Sequence, residues 1–318
     1  MMIKKIIGKK NYTLLFCTSL CFMLLIAFII IHALKNKFPF YFNTQLVFLK
    51  DVHSYRTIWI YWENKPNSSK PPYISLCHQT ILKNSTNFKV HLLDEKSVYN
   101  FLPNLRQEVN LLSIPQKADY IRLLLLKQFG GIWFDSDTIL LQNPQIIIDK
   151  LKHYDFAGFG CHQSYCKKLA YGYPKPANWV MASRKNSKLV INCLVQADDL
   201  LDKYPSHYFN KPENYHIFGR KLLWFNIEKL LFTNWDYYHF PSFCLDRDSK
   251  NSKLTNDRYI SKEKIDLKCV DKMIFTPFYS TSPGFPEWFK NMNEETILKE
   301  EMLVSKLFRK ALGLENNK

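Results

Sequence analysis

The most informative absence in this sequence is that of charged side chains between Asn11 and Leu34. The stretch contains no Asp, Glu, Lys or Arg, and as a helix it would reach roughly 36 Å, enough to cross a bilayer core of about 30 Å. It lacks a convincing Ala-x-Ala cleavage site, and it exceeds the apolar part of a typical signal peptide, which has about 7 to 15 residues. These absences favour a transmembrane signal anchor at residues 11–34 over a cleaved signal peptide.

The lysines beside this segment indicate its orientation. Four lysines precede it within the first ten residues, and two follow it closely. The positive-inside tendency therefore predicts a cytoplasmic tail at residues 1–10 and a single-pass type II membrane protein whose remaining chain faces the lumen or the exterior.

The sequence also lacks the usual features of a nucleic-acid-binding protein, although its formal net charge is +16. The lysines are spread along the chain among acidic residues, with no arginine-rich arm and no Cys/His finger spacing. Excess positive charge fits anionic membrane surfaces and phosphate-bearing substrates equally well. We predict no nucleic-acid partner.

Residues 35–55 show no clear period and are predicted to form a stem, after which an α/β pattern begins. Residues 57–62 and 88–93 are typical of strands, and residues 73–83 of a helix between them. This order predicts an α/β domain with a sheet that is at least partly parallel. Trp59 and Tyr61 share a face at the end of the first strand. They could stack on a nucleotide base, or both could be core residues.

Two acidic residues follow a short apolar run in the stretch 129–137, which has the sequence FGGIWFDSD. If the strand continues, Asp135 and Asp137 point to the same face, one on each side of Ser136. Two carboxylates placed in this way could bind Mg²⁺ or Mn²⁺, which usually complete their shells with water and substrate phosphates. The alternative is a capped turn, because Asp and Ser favour turns.

The residues before this stretch are typical of a helix, at 115–129. Asp119 and Arg122 are three residues apart and are therefore neighbours on the helix surface. They could form an ordinary ion pair. If they face the end of the next strand, Asp119 could bind ribose hydroxyls and Arg122 could neutralise a diphosphate.

The segments ADYIR at 118–122 and GGIWFDSD at 130–137 closely resemble the DXD region of glycosyltransferase family 32 and of the capsular polysaccharide synthesis proteins. The strand at 57–62 resembles the first strand of these proteins, and NWVMA at 178–182 resembles a later segment whose Asn approaches the donor sugar. The dense likeness covers roughly residues 57–145, and a weaker likeness extends to about residue 230.

The resemblance implies a GT-A fold, which is Rossmann-like, with a mostly parallel sheet flanked by helices. It also implies transfer of a sugar from a nucleotide-sugar donor to a glycan, lipid or protein acceptor, with Mn²⁺ (or Mg²⁺) as cofactor and with retention of configuration. The donor-binding residues implied are Trp59, Tyr61, Asp119, Arg122, Asp135, Ser136 and Asp137. Asp135 and Asp137 would be the metal ligands, and Asn178 the candidate catalytic residue near the reacting carbon.

Two other functions remain open. An apolar run followed by DSDT at 135–138 also matches the signature of haloacid-dehalogenase phosphatases, with Asp135 as phosphoryl acceptor and Asp137 as general acid/base. The usual Gly after the second Asp is missing, however, and Asp198-Asp199 lies in a helix-like run, where a solvated helix face is the simpler interpretation. A non-catalytic relative that binds a sugar nucleotide is the other alternative.

The domain prediction places a GT-A catalytic domain at residues 56–292 and a C-terminal helix and tail at residues 293–318. Within them we expect helices at 187–204, 214–232 and 294–312, a charged loop at 246–272 and a late loop at 276–286 that could close over the donor. The predicted location is the Golgi lumen if the protein is eukaryotic. A bacterial inner membrane or a virus-encoded protein is the alternative.

Overall fold

The computed structural model describes residues 55–159, 176–231, 237–240, 260, 262, 273–277 and 286–314. All of them belong to one compact unit, Ser54–Lys318. The predicted tail, signal anchor and stem up to residue 54 lie outside the described residues. Among the helices in the described ranges, none combines the length and the apolar character needed to cross a bilayer.

Strands and helices alternate through the first half of the described chain. The strands are β1 (Thr57–Tyr61), β2 (Lys89–Leu93), β3 (Gly131–Phe134), β4 (Thr138–Leu140), β5 (Phe156–Phe159), β6 (Ala177–Ser183), β7 (Tyr237–Phe240) and β8 (Phe275–Pro277). The helices are α1 (Pro72–Asn84), α2 (Ile114–Phe129), α3 (Gln145–Lys150), α4 (Lys188–Lys203), α5 (Ser206–Phe209), α6 (Leu222–Leu231), α7 (Glu287–Lys290), α8 (Glu294–Lys299) and α9 (Leu303–Ala311).

Six of the described strands form one sheet in the order β2-β1-β3-β6-β5-β7. β2, β1 and β3 pair in parallel, β6 is antiparallel to both β3 and β5, and β7 is parallel to β5. β4 and β8 form a second, antiparallel pair. The prediction of an α/β fold with a mostly parallel sheet flanked by helices is confirmed, and the antiparallel pairings of β6 make the sheet mixed.

Helix α2 continues directly into β3 through Gly130 and Gly131. Both glycines have positive φ, of 70° and 98°, and a Cβ on Gly131 would lie 2.4 Å from the carbonyl oxygen of Thr57. No other residue type fits this junction without displacing β1. Lys117 near the start of α2 pairs with Glu63 just after β1, and Arg122 pairs with Asp135 just after β3. The helix α2 therefore runs antiparallel to β3, and its N-terminal end lies at the carboxyl edge of the parallel strands.

The two faces of the large sheet are covered differently. Trp59 and Trp133 are part of an apolar cluster with α2, α4 and α6. Phe134 points to the other face, where it contacts Phe275 of β8 at 5.5 Å between ring centroids. A second apolar cluster joins α1 and β4 to α7, α8 and α9.

Three expectations about the later chain change. The region 214–232 contains an irregular turn, Ile217–Lys221, before α6 begins, because Gly219 has non-helical backbone angles. The C-terminal region has two helices where one was expected, since Glu300 and Met302 are extended. In the expected late loop, Thr276 and Pro277 belong to β8, while 278–285 lies outside the described residues, as does all but residue 260 and residue 262 of the expected loop 246–272.

Candidate functional site

The helical spacing of Asp119 and Arg122 brings them together at the carboxyl edge of β3. Arg122 Nη1 donates to Asp119 Oδ1 at 2.6 Å, and Arg122 Nη2 donates to Asp135 Oδ1 at 2.5 Å. The guanidinium also lies over the ring of Trp133, 4.9 Å from its centroid. Arg122 is 2% exposed, so it holds the two carboxylates in place from beneath the surface.

Asp135 is held on several sides. Its Oδ1 accepts a second hydrogen bond from Trp133 Nε1 at 2.7 Å, and its backbone N–H donates to the carbonyl of Trp179 at 2.8 Å. Burial raises the pKa of the Asp135 carboxyl to about 7, with Arg122 acting in the opposite direction and Asp137 adding to the rise. Burial therefore disfavours the charged form of the Asp135 carboxyl.

The motif itself is a turn that connects β3 to β4. Thr138 N donates to the carbonyl of Asp135 at 3.0 Å, and the buried Ser136 hydroxyl donates to the carbonyl of Tyr61 at 2.8 Å. The strand ends at Phe134, so the prediction that strand alternation places Asp135 and Asp137 on one face does not apply. The structure shows the alternative, a turn. Asp137 is half-buried, and its charge also raises the pKa of the Cys77 thiol, after the larger effect of burial.

Asn178 on β6 reaches the same cluster. Its Nδ2 donates to Asp119 Oδ1 at 2.7 Å, so one carboxylate oxygen receives both Asn178 and Arg122. Gly219 covers this pair: a Cβ there would lie 2.4 Å from Asn178 Nδ2 and 2.5 Å from Asp119 Oδ2. Burial raises the pKa of Asp119, while Arg122 and Asn178 act to lower it. Asp119, Arg122, Asp135 and Asn178 thus form one connected network.

Trp59 and Tyr61 lie in the core and not at a surface where a base could stack. Trp59 is 2% exposed, packs against His91, Phe101 and Phe129, and donates its N–H to the carbonyl of Gly130 at 2.9 Å. Tyr61 is also buried. The same-face prediction is correct for this pair, but the shared face is the one covered by the apolar cluster, which agrees with the core alternative.

A second polar group at the end of β1 was not expected from the sequence. The Tyr61 hydroxyl donates to Glu63 Oε2 at 2.6 Å, and Lys117 Nζ lies 2.9 Å from the same oxygen. Lys117 is in the first turns of α2, which is why it reaches the end of β1. Gly219 and the bond from Trp133 to Asp135 were also missed. The Trp133 bond follows from the i, i+2 spacing of the two residues, and a glycine inside an expected helix was a usable signal for a special backbone position.

The residues present fit a hard divalent cation. Within the described part of the chain, both hydrogen bonds to the Asp135 carboxylate go to Oδ1. Its second oxygen and the neighbouring Asp137 supply the carboxylate donors that Mg²⁺ and Mn²⁺ accept together with substrate phosphates. No group of three or more His, Cys, Asp or Glu side chains able to hold a metal occurs in the described ranges.

The acidic pair invoked for the phosphatase alternative has other partners. Asp198 Oδ1 accepts a hydrogen bond from the Tyr120 hydroxyl at 2.6 Å and lies 3.4 Å from Arg106 Nη1. Tyr120 follows Asp119 on α2 and belongs to the apolar cluster between α2 and α4. Asp198 therefore links α4 to α2 through Tyr120, although 38% of its side chain is still exposed.

Fold and site together define an α/β protein with three acidic side chains, Asp119, Asp135 and Asp137, at the carboxyl edge of a mostly parallel sheet, two of them bound to one buried arginine. The sequence model of the Capsular polysaccharide synthesis protein family matches residues 26–235, that is 210 of the 318 residues. The chain belongs to this family, as its resemblance predicted.

Solved structures with a similar arrangement are distant. The glycosyltransferase GlyE of Streptococcus pneumoniae TIGR4 is 13% identical, with a TM-score of 0.40 over 81% of this chain and 60% of GlyE. The PaToxG glycosyltransferase is 15% identical, with a TM-score of 0.37 over 59% of this chain and 77% of its own. A glycosyltransferase involved in the glycosylation of the major capsid of PBCV-1 is 11% identical, with a TM-score of 0.29 over 58% of this chain and 82% of its own. No curated protein matches the sequence.

Proposed function

We propose that this protein is a membrane-anchored, metal-dependent glycosyltransferase with a GT-A fold, which moves a hexose from a nucleotide-sugar to a glycan, lipid or protein acceptor with retention. The observation that carries the proposal is the bridge from Arg122 to Asp119 and Asp135, beside Asp137, at the carboxyl edge of β3. Ligands of open α/β sheets bind at that edge. Membership of the capsular polysaccharide synthesis family supports a role in building glycans.

The metal would be Mn²⁺ (or Mg²⁺), bound by Asp135 and Asp137 with oxygens of the donor diphosphate. Burial raises the pKa of Asp135, and an adjacent cation would favour the charged form of this carboxylate. When bound, such an ion supplies Lewis-acid stabilisation of the negative charge that grows on the leaving diphosphate.

The buried residues of the network position the donor site. The two Nη groups of Arg122 are already bonded to carboxylates, so Arg122 would act on the diphosphate through Asp135 and its own positive charge more than by direct contact. Asp119 fixes the amide of Asn178. We place the Asn178 side chain nearest to the donor sugar, and Asp137 beside the ribose and diphosphate. The buried Ser136 hydroxyl, bonded to the carbonyl of Tyr61, would fix the turn that carries Asp137. Trp59 and Tyr61 are left out of the donor contacts because they are core residues.

The experiment that tests the proposal incubates the full-length protein with a panel of nucleotide-sugars and Mn²⁺ and measures donor hydrolysis and transfer. Asp137→Ala should abolish turnover, and chelation with EDTA should do the same until Mn²⁺ is restored. Arg122→Lys should lower turnover by about 100-fold or more, because a lysine cannot bridge two carboxylates. The matched control is Arg309→Lys, which changes an arginine on α9 that is bonded to Glu301.

Two results would overturn the assignment: turnover of no donor in the panel, or an Asp137→Ala variant as active as the parent. Phosphatase activity that disappears in Asp135→Asn would support the haloacid-dehalogenase alternative instead. Donor binding without turnover, measured by calorimetry, would identify a non-catalytic relative.

A further inference from the structure

Two adjoining depressions lie on the surface beside the N-terminal end of α2. The first holds about 340 Å³ between Leu112, Tyr204 and Phe209. The second is more open, holds about 720 Å³ and includes Tyr99. Both are lined by Glu108 and Leu111, which form the ridge between them. We call the two depressions together the α2 groove.

The α2 groove lies at the same end of α2 as the acidic cluster. The buried amide of Gln116 donates to the carbonyls of Phe209 and Asn214, at 2.9 and 3.2 Å, so the segment that lines the groove is fixed to the first turn of α2. Further along the chain the same segment covers Asp119 through Gly219. Leu112 lies two residues before α2 begins at Ile114, and the helix rises about 7.5 Å from Ile114 to Asp119. One end of the groove therefore adjoins the same first two turns of α2 that carry Asp119.

The lining combines apolar surface with neutral and acidic hydrogen-bonding groups. Leu111 is 63% exposed, the largest exposed fraction among the large apolar side chains described. Tyr99 is 37% exposed, and its hydroxyl is held by Asn110 Nδ2 at 3.1 Å. Glu108 and Asp202 share the guanidinium of Arg106, so their carboxylates are fixed and still reach the groove surface.

We propose that the α2 groove binds the acceptor, and that the acceptor is an uncharged oligosaccharide chain. Sugar rings present apolar C–H faces that pack on tyrosine rings and on an exposed leucine, and hydroxyl groups that donate to carboxylate and amide oxygens. The volume of each depression, about 340 and about 720 Å³, lies within the range of about 300 to 1,000 Å³ typical of small-molecule sites. The proposal rests on the proposed function, since it assigns the acceptor of that reaction.

The charge of the lining argues against an anionic ligand. The charged residues that line the first depression are Glu108, Asp202 and Lys203. The second depression is lined by Glu108, with no lysine or arginine among its lining residues. Arg106 already pairs with both carboxylates, so the charges around the first depression are close to balanced. A nucleotide, an acidic glycan or a phospholipid headgroup would find no excess of positive charge there. The groove therefore selects neutral hydroxyl-rich chains in a protein whose formal net charge is +16.

The test probes the full-length protein with an array of defined neutral oligosaccharides, their sulfated counterparts and short peptides. Ligands that bind are then mapped by hydrogen–deuterium exchange. We expect binding to neutral oligosaccharides, with protection at residues 99–112 and 201–209. Leu111→Asp and Tyr99→Ala, both at exposed positions, should each weaken that binding by about 10-fold or more, as expected for loss of a buried apolar contact at a binding surface. The matched control is Leu82→Asp, at an exposed leucine on α1, which should bind like the parent.

Kinetics separates this proposal from the function on which it rests. With a donor that turns over, Leu111→Asp should raise the KM for the oligosaccharide by about 10-fold and lower transfer more than donor hydrolysis. Donor turnover with oligosaccharide protection elsewhere on the molecule would overturn the groove proposal alone, as would preferential binding of peptides or sulfated chains, or binding of nothing on the array. Oligosaccharide binding in the groove without turnover of any donor would support the groove and overturn the glycosyltransferase.

Discussion

Arg122 and Asp119 are the residues whose neighbourhood follows most directly from the sequence. Three helical positions separate them, and the Gly130-Gly131 break returns the chain so that the helix faces the end of the next strand. The spacing therefore predicts the pair of Asp119 and Arg122, whereas the contact of Arg122 with Asp135 was one of two alternatives that the sequence left open. Asn178 binds Asp119 across 59 residues of chain, and no local pattern carries that information.

Trp59 shows where residue-level prediction stops. The two-residue period places Trp59 and Tyr61 on one face of β1, but it does not say whether that face is covered. Coverage depends on α2 and α4 packing on the sheet, which is a tertiary fact.

His78 on α1 is a buried histidine with a defined effect on stability. It is 5% exposed, and neither ring nitrogen has a hydrogen-bond partner among the described residues. Burial, with Lys70 adding to the effect, lowers its pKa from 6.5 to about 4. Between pH 6.5 and about pH 4, His78 is therefore protonated in the unfolded chain and neutral in the native protein. The stability due to neutral His78 is present above pH 6.5 and is lost as the pH falls towards 4.

We expect His78 to lower the free energy of unfolding by about 2 kcal/mol between pH 7 and pH 5, since one pKa unit corresponds to about 1.4 kcal/mol. Urea denaturation followed by tryptophan fluorescence measures this. His78→Leu should remove most of that pH dependence, and His153→Leu, at an exposed histidine, should retain it. Equal slopes in the parent and in His78→Leu would contradict the assignment.

At the scale of elements, the strands and helices from β1 to β3 end within one residue of their predicted bounds, because glycine, proline and polar clusters mark both ends. The region 214–232 was less predictable. Its amphipathic pattern suits a helix, but the turn Ile217–Lys221 is shaped by the contact of Gly219 with Asp119 and Asn178. The hydrophobic pattern of a sequence does not show that a position such as Gly219 must lack a side chain.

The turn Ile217–Lys221 therefore has a specific weak point at Gly219. Gly219→Ala should destabilise the protein by roughly 1 to 3 kcal/mol through overpacking, and it should lower transfer by about 100-fold, because displacement of Asp119 or Asn178 disturbs the donor site. Urea denaturation and donor turnover measure the two effects.

The control for Gly219→Ala is its combination with Asn178→Ala. Removal of the amide relieves one of the two close contacts, so the double variant should lose less stability than the sum of the single variants. Additive losses would show that Gly219 and Asn178 are not packed together.

At the scale of the whole molecule, the compact unit Ser54–Lys318 contains both apolar clusters and the entire candidate site. We expect a chain beginning at Ser54 to unfold cooperatively and to keep the turnover of the full-length protein within about twofold, since activity depends on the site that this unit contains. Thermal denaturation and donor turnover measure this.

The same truncation tests the proposed membrane anchor and location. Full-length protein should sediment with membranes, and the chain beginning at Ser54 should stay in the supernatant, if residues 11–34 span a bilayer. Full-length protein in the supernatant would contradict the anchor, and with it the proposed lumenal site.

The direct passage from α2 into β3 limits how this family member can vary in length. One residue added between Phe129 and Gly131 would shift every later position of β3 by one, and Trp133 and Asp135 would exchange faces with Ile132 and Phe134. Trp133 and Asp135 would then both lose their contacts with Arg122. Insertions and deletions are therefore excluded at this junction, although surface loops elsewhere tolerate them.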